Sequence, residues 1–457
     1  MLSEWHCFIT YLEVKIMGIL LKGGIIYTGE PVSDGTQMDI LIEDGMIKDQ
    51  QRNINPEELG KSESEQLEII DVSGLTIVPG LVDMHVHLRE PGFEYKETIA
   101  TGTKSAARGG FTSIACMPNT KPTADNSGTI EFIKQRAKEQ GLVHTYPIAA
   151  LTVDRVGKEI VEMDDLYSAG AVAFSDDGSW VHDSGVMRTA LEYSQLFNVP
   201  VISHCEDEGL SDSGQVNEGY LASVMGLSGI PNESESIAVA RDVMLSELTG
   251  AHLHIAHIST AQSVDIIRKA KDRGVPVTAE VTPHHLILTD STIQNYNTMA
   301  KVNPPLRTEE DVKALRQGIK EGVIDCIATD HAPHSTDEKN VEFDNAPFGL
   351  VGLETAFSVS KKALVDSGVL SLSELIEKMS TNPAKLLKLP SGKLVHEAPA
   401  DLTILSLDEK YTVNPGDFAS LGKNSPFAGW ELEGKIVATM VSGEFSYRQF
   451  GSDDHVV

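Results

Sequence analysis

A (β/α)8 barrel, the TIM-barrel class, joined to a small composite β domain is the fold this sequence predicts, and three observations predict it. Apolar β-like runs alternate eight times with helix-patterned segments through the middle of the chain. The polar and ionisable residues fall at the C-terminal end of nearly every such run. Both chain ends carry short β-rich pieces of a different style. Alternating strand and helix patterns specify parallel βα units, and eight of them suit a closed barrel better than a doubly wound open sheet. Neither a GxGxxG motif nor a P-loop offers a rival reading.

Residues 1–16 hold Glu4 and Glu13 inside an apolar stretch and lack the basic region and small-residue cleavage site of a signal peptide. They read as a dispensable extension. From residue 17 to 78 the pieces LLKGGIIYTG, MDILIEDGMIK and EIIDVSGLTIV are strand-like, the second turning at Asp44-Gly45. ADLTILSLD and KIVATMVSGEFSY, within 391–447, repeat that style, so both ends are expected to build one sandwich-like β domain, with 448–457 as a tail. The barrel then spans 79–390. Its strands are expected in 76–88, 111–119, 143–152, 171–178, 199–207, 251–259, 275–286 and 325–334. Between them lie helical patterns such as TIEFIKQRAKEQG and TEEDVKALRQGIKEG, several ending at the glycine that commonly closes a helix.

With 457 residues, 41% hydrophobic and 23% charged, the chain has the size and balance of a soluble enzyme, and no stretch nears the roughly 20 apolar residues of a membrane span. A net charge of −30 argues against nucleic-acid binding, which needs clustered Lys and Arg. An anionic substrate would therefore need local positive charge from metals or a particular Arg. Cys7, Cys116, Cys205 and Cys326 are scattered, with no C-x-x-C pair, which fits a reducing cytoplasm.

The strongest chemical signal is PGLVDMHVHLR. Strand alternation places Asp83, His85, His87 and Arg89 on one face, and imidazoles at i and i+2 are spaced to share one metal ion. Asp176, Asp177, His204, His257, Asp330, His331 and His334 follow at later strand ends. Imidazoles and carboxylates arriving from strands 1, 4, 5, 6 and 8 are the donors that a paired zinc site requires. Alternation does not settle every choice. In AHLHIAHIS it favours His252 and His254 over His257, and His284-His285 raises the same difficulty.

Taken in order, PGLVDMHVHLREPG, MPNT, AFSDDG, ISHCED, HIAHIST, KVNPPLR, ATDHAPHS and APFGL resemble the amidohydrolase superfamily and, within it, the bacterial class I dihydroorotases. The resemblance covers nearly all of residues 17–447. It implies two Zn2+ ions, with His85 and His87 on the first, Asp177 bridging, His204 and His257 on the second, and Asp330 contacting the first while acting as the catalytic proton-transfer group. Substrate contacts fall to Arg89, Asn119, Asn303, His334, Phe348 and Gly349. The implied reaction interconverts dihydroorotate and N-carbamoyl-aspartate, a small-molecule chemistry without nucleic acid or membrane. A homodimer and an association with aspartate transcarbamoylase are the protein partners the resemblance raises. Allantoinase and dihydropyrimidinase or hydantoinase are the nearest alternatives. They typically bridge their metals with a carboxylated lysine, whereas no lysine lies between Lys158 and Lys269, the interval holding strands 4 and 5. A non-catalytic scaffold would have lost metal ligands that are all present here.

Overall fold

The computed structural model describes residues 16–29, 34–59 and 66–449. The expected extension, apart from Ile16, and the tail beyond Gln449 lie outside them. Eight short parallel strands form the barrel: Leu81–Val86, Phe111–Cys116, His144–Pro147, Phe174–Ser175, Val201–Ser203, Leu253–Ile255, Val277–Val281 and Cys326–Ile327. Each falls inside one of the eight expected runs. The first three pair in sequence order, as do the last five. Single parallel bridges, Ala149 to Phe174 and Val86 to His331, join the two arcs into a ring.

Helices follow each of the first seven strands, among them Ile99–Arg108, Ser127–Gln140, Ala261–Asp272 and Glu309–Lys320. Thr98 and Thr308 start theirs with reciprocal capping boxes, which satisfy amide groups that the first helical turn leaves unpaired. The apolar faces of helices and strands meet in one large core, where Phe111, Ile114, Phe174 and Leu253 pack with Ile99, Ile130, Val239 and Leu315. Burying each such side chain contributes roughly 1.5–3 kcal/mol, which fixes the ring of strands that carries the site.

The chain ends build one eight-stranded sheet. Thr76–Pro79 joins its two halves, pairing in parallel with Ile16–Ile26 and antiparallel with Leu402–Thr412. Asp44 and Gly45, both at positive φ, make the tight hairpin turn expected from the Asp-Gly pair. Leu20, Leu41 and Ile54 cluster apart from Leu21, Ile40 and Ile42, because successive side chains leave a strand on opposite faces.

Gly80 is the single residue between this sheet and the first barrel strand. Its N–H donates to the Asp401 carbonyl at 2.9 Å, and a Cβ there would lie 2.0 Å from Thr112 Oγ1 and 2.6 Å from Thr112 Cβ. The β domain therefore sets the height at which the His85 strand enters the ring. Gly80→Ala should cost about 1–3 kcal/mol by overpacking, read as a lower denaturant midpoint, and an unchanged midpoint would refute the close fit.

Candidate active site

Three strand ends break the alternation that their sequences suggest. Arg89 (φ 63), His257 (φ 29) and Asp330 (φ 48) are non-glycine residues in the left-handed backbone region. Such conformations cost about 1–3 kcal/mol each and concentrate where function requires a particular side-chain direction. The turn at His257 sends its ring into the barrel mouth. His252 and His254, on the regular part of the strand, both meet Thr278 Oγ1 lower down, at 2.9 and 2.8 Å.

Asp177 is the meeting point. Its Oδ1 lies 3.2 Å from His85 Nε2 and 3.8 Å from both His204 Nδ1 and His257 Nε2, while its Oδ2 lies 3.5 Å from His87 Nε2. Asp330 Oδ1 is 3.0 Å from His87 Nε2 and 3.6 Å from His85 Nε2. All six residues expected as metal ligands thus converge. Asp176 is turned away, accepting hydrogen bonds from the amides of Leu151 and Thr152 and from the Thr152 hydroxyl. Burial works against ionising Asp330 and is the largest effect on it. The hydrogen bond from His87 and the nearby imidazoles outweigh it and hold the carboxyl at about 2.

The donor set fits metal. His85, Asp177 and His257 form one group, and His85, His87 and Asp330 a second, each with its ligand atoms within 4.8 Å of one another. Buried His85 Nε2 and Asp177 Oδ1 have no hydrogen-bond partner. Zinc bonds of about 2.0–2.2 Å separate neighbouring corners of a tetrahedron by roughly 3.3 Å, close to the spacings seen here.

Beside these ligands lies a cavity of about 250 Å3, and Arg89, Asn119, Asn303, His334, Phe348 and Gly349 all line it. Asn119 accepts from His87 Nδ1 at 2.9 Å. Burial, followed by the charges of Arg89 and Lys96, depresses His334 to about 3 and keeps its ring neutral. Its Nε2–H donates to the Phe348 carbonyl at 2.8 Å, leaving Nδ1 to accept from Lys96 Nζ at 3.3 Å. His331, a sequence candidate at the same strand end, instead faces Glu97 at 3.4 Å. His285 bridges Thr282 and the Pro304 carbonyl, and the His284 ring packs beside it, tilted by 44°, with ring centroids 4.5 Å apart.

Two carboxylates here were not singled out from the sequence. Glu206 accepts from His204 Nε2 at 3.0 Å and from Asn303 Nδ2 at 2.7 Å, so it ties a ligand to a cavity-lining residue. Glu280, fully buried in the seventh strand, accepts from His85 Nδ1 at 2.6 Å, from His254 Nε2 at 3.2 Å and from the His257 amide at 3.3 Å. By taking the Nδ1 proton it leaves His85 Nε2 as the free lone pair. The lone glutamate near the end of the otherwise uncharged run VPVTAEV was the available signal.

Comparison with known proteins sharpens this picture. The family model described as dihydro-orotase-like matches residues 74–263, which include His85, His87, Arg89, Asn119, Asp177, His204 and His257. The dihydroorotase of Syntrophus aciditrophicus (strain SB) is 51% identical over 433 residues, covering 95% of this chain and all of that protein. The dihydroorotase of Acetivibrio thermocellus is also 51% identical, covering 94% of this chain and 99% of that one. The chain belongs to the dihydroorotase family. Its fold recurs in solved structures of the wider superfamily. The L-hydantoinase (dihydropyrimidinase) from Arthrobacter aurescens superposes with a TM-score of 0.84 at 26% identity, covering 95% of this chain and 97% of that one. The dihydropyrimidinase from Brevibacillus agri NCHU1002 superposes at 0.81, with 23% identity and 95% of each chain covered. Family membership rests on the sequence relatives; these two superpositions speak to the barrel.

Glu280→Gln keeps the shape but removes the strong acceptor at His85 Nδ1. Metal affinity, measured by chelator competition, should fall about 10–100-fold while the protein stays folded. Wild-type affinity would show that Glu280 does not orient the ligand.

Proposed function

We propose that this chain acts as a zinc-dependent dihydroorotase, interconverting (S)-dihydroorotate and N-carbamoyl-L-aspartate in de novo pyrimidine (UMP) synthesis. The observation that carries the reading is a cavity lined by one arginine and two side-chain amides that opens directly onto a set of metal donors, in a chain about half identical to named dihydroorotases. In this reading His85 and His87 hold one zinc, His204 and His257 the other, Asp177 bridges them, and Asp330 touches the first. The barrel, residues 79–390, carries this chemistry, and the β-rich parts 17–78 and 391–447 brace it.

Bound zinc supplies Lewis acidity at a carbonyl and ionises water near neutral pH. The chain's own residues do the rest. Arg89 Nε is taken by the Pro333 carbonyl at 3.3 Å, and among the described residues no carboxylate ion-pairs with this guanidinium. Its terminal nitrogens are therefore the partner for the ring carboxylate, which a guanidinium binds through two hydrogen bonds. Asn119 and Asn303 orient the ring edges. Asp330, ionised at neutral pH and facing the cavity, takes the proton of the attacking water and delivers it to the ring nitrogen as the amide bond breaks. Ring opening generates a carboxylate and releases a proton, so acid favours closure.

Among the described residues no lysine lines this cavity, and the Asp177 carboxylate lies between the imidazoles of His85, His87, His204 and His257, which supports dihydroorotase over the lysine-bridged cyclic amidases. No helix among the described residues is long and apolar enough to cross a membrane, and Cys116, Cys205 and Cys326 are buried free thiols, in keeping with a cytoplasmic enzyme.

An absorbance assay of dihydroorotate beside hydantoin, dihydrouracil and allantoin should show the highest kcat/KM for dihydroorotate, and preference for any other would overturn the substrate assignment. Asp330→Asn should lower kcat by about 10²–10⁴-fold in a folded protein, the range typical of a lost general acid–base group. Near-normal turnover in that variant would remove Asp330 from the proton-transfer role.

A further inference from the structure

Asn424 lies far in sequence from every residue with a role in the chemistry above, on the connection between the strands Leu402–Thr412 and Glu431–Val441. It is nevertheless buried against the cavity wall, only 2% exposed. Its side-chain amide is fully used. Nδ2 donates to the carbonyls of Ala332 at 3.1 Å and Gly349 at 3.0 Å, and Oδ1 accepts from the His334 amide at 3.1 Å. Its own carbonyl accepts from the Val351 amide at 2.9 Å. One residue thus fastens two loops, 332–334 and 349–351, that contribute His334 and Gly349 to the cavity.

These loops approach one another closely. Gly349 (φ 127) has no room for a side chain: a Cβ would lie 2.8 Å from Ala332 Cβ and 3.2 Å from His334 Nε2. Gly422 is equally confined, with Pro333 Cβ 2.6 Å from where its Cβ would stand. The segment is moored at its other end as well. Ser420 Oγ donates to Glu97, the Leu421 amide donates to Glu97 Oε1 at 3.2 Å, and the Ala419 amide donates to Glu354 Oε1 at 2.8 Å. Phe427 is buried behind it, edge-on to Trp430.

We infer that Asn424 is a positioning residue for substrate binding: it clamps the 332–334 and 349–351 loops and so holds His334, the Phe348 carbonyl and Arg89 in the arrangement that receives an anionic ring. Arg89 depends on the clamp because its Nε bonds to the Pro333 carbonyl, inside the first fastened loop. The metal donors do not depend on it, since Asn424 contacts none of His85, His87, Asp177, His204, His257 or Asp330. The clamp should therefore act on substrate binding and leave metal binding alone.

The test uses the full chain in its metal-loaded form, with Asn424→Ala and the isosteric Asn424→Asp. Aspartate keeps the volume and the acceptor but turns a negative oxygen toward two carbonyls in place of the donating NH2. Two readouts are needed. Amide hydrogen exchange over residues 332–351 should accelerate about tenfold or more in both variants, and this arm is independent of the proposed reaction. The kinetic arm rests on the dihydroorotase reading: KM for dihydroorotate should rise about tenfold or more, with kcat within about threefold of wild type and metal content unchanged. A merely space-filling role would leave Asn424→Asp near wild type in both readouts, and that result overturns the inference. Unchanged exchange in Asn424→Ala overturns it too. If alanine prevents folding, the aspartate variant decides. If the wild-type chain fails to turn over dihydroorotate, the substrate reading falls while the exchange arm still decides the clamp.

Discussion

Asp177 places one buried carboxylate among four imidazoles from three strand ends. An ionised carboxylate in such surroundings is costly unless fully partnered, and here its Oδ1 and the facing His85 Nε2 lack any hydrogen-bond partner. A divalent cation is the partner whose chemistry suits both atoms at once. Much else follows from holding this arrangement still. Left-handed backbone at His257 and Asp330 aims their side chains, the Asp83 carboxylate anchors the His85 amide and Thr329, and Glu280 ties His85 to the neighbouring His254.

The two ends of the chain are part of the catalytic apparatus in a mechanical sense. Thr76–Pro79 links the β sheet to the first barrel strand through Gly80 alone, so the sheet fixes where His85 and His87 emerge. At the opposite end, the connection after Leu402–Thr412 bonds to the loops that follow the eighth strand. The barrel supplies donors at fixed heights, while the C-terminal segment shapes the space next to them. In the proposed function, that division separates metal binding from substrate recognition.

The alternation of apolar runs with helical patterns was enough to locate all eight barrel strands, because each must be apolar to sit between helices and barrel interior. The site was legible wherever a donor lay at a strand end within a distinctive motif, as with His85 and His87, whereas the choice of Asp177 over its neighbour Asp176 came from the resemblance to a family. Period-two alternation fails at His257 and Asp330, since a residue at positive φ no longer obeys the pleat, and there the resemblance to a family supplied what periodicity could not. Glu280 escaped notice because one acidic residue in a strand reads as an exposed face until its neighbours are known. Asn424 is separated from the residues it fastens by 73 to 92 positions, and no local pattern encodes such a contact.

The most direct measurement of the central arrangement is anomalous diffraction at the zinc edge from crystals of metal-replete protein. Two peaks roughly 3.5–4 Å apart, one on each side of the Asp177 carboxylate, are the expected result. A zinc-loaded crystal with its anomalous density elsewhere, leaving the Asp177 carboxylate uncoordinated, would contradict the assignment of this cluster as the metal centre.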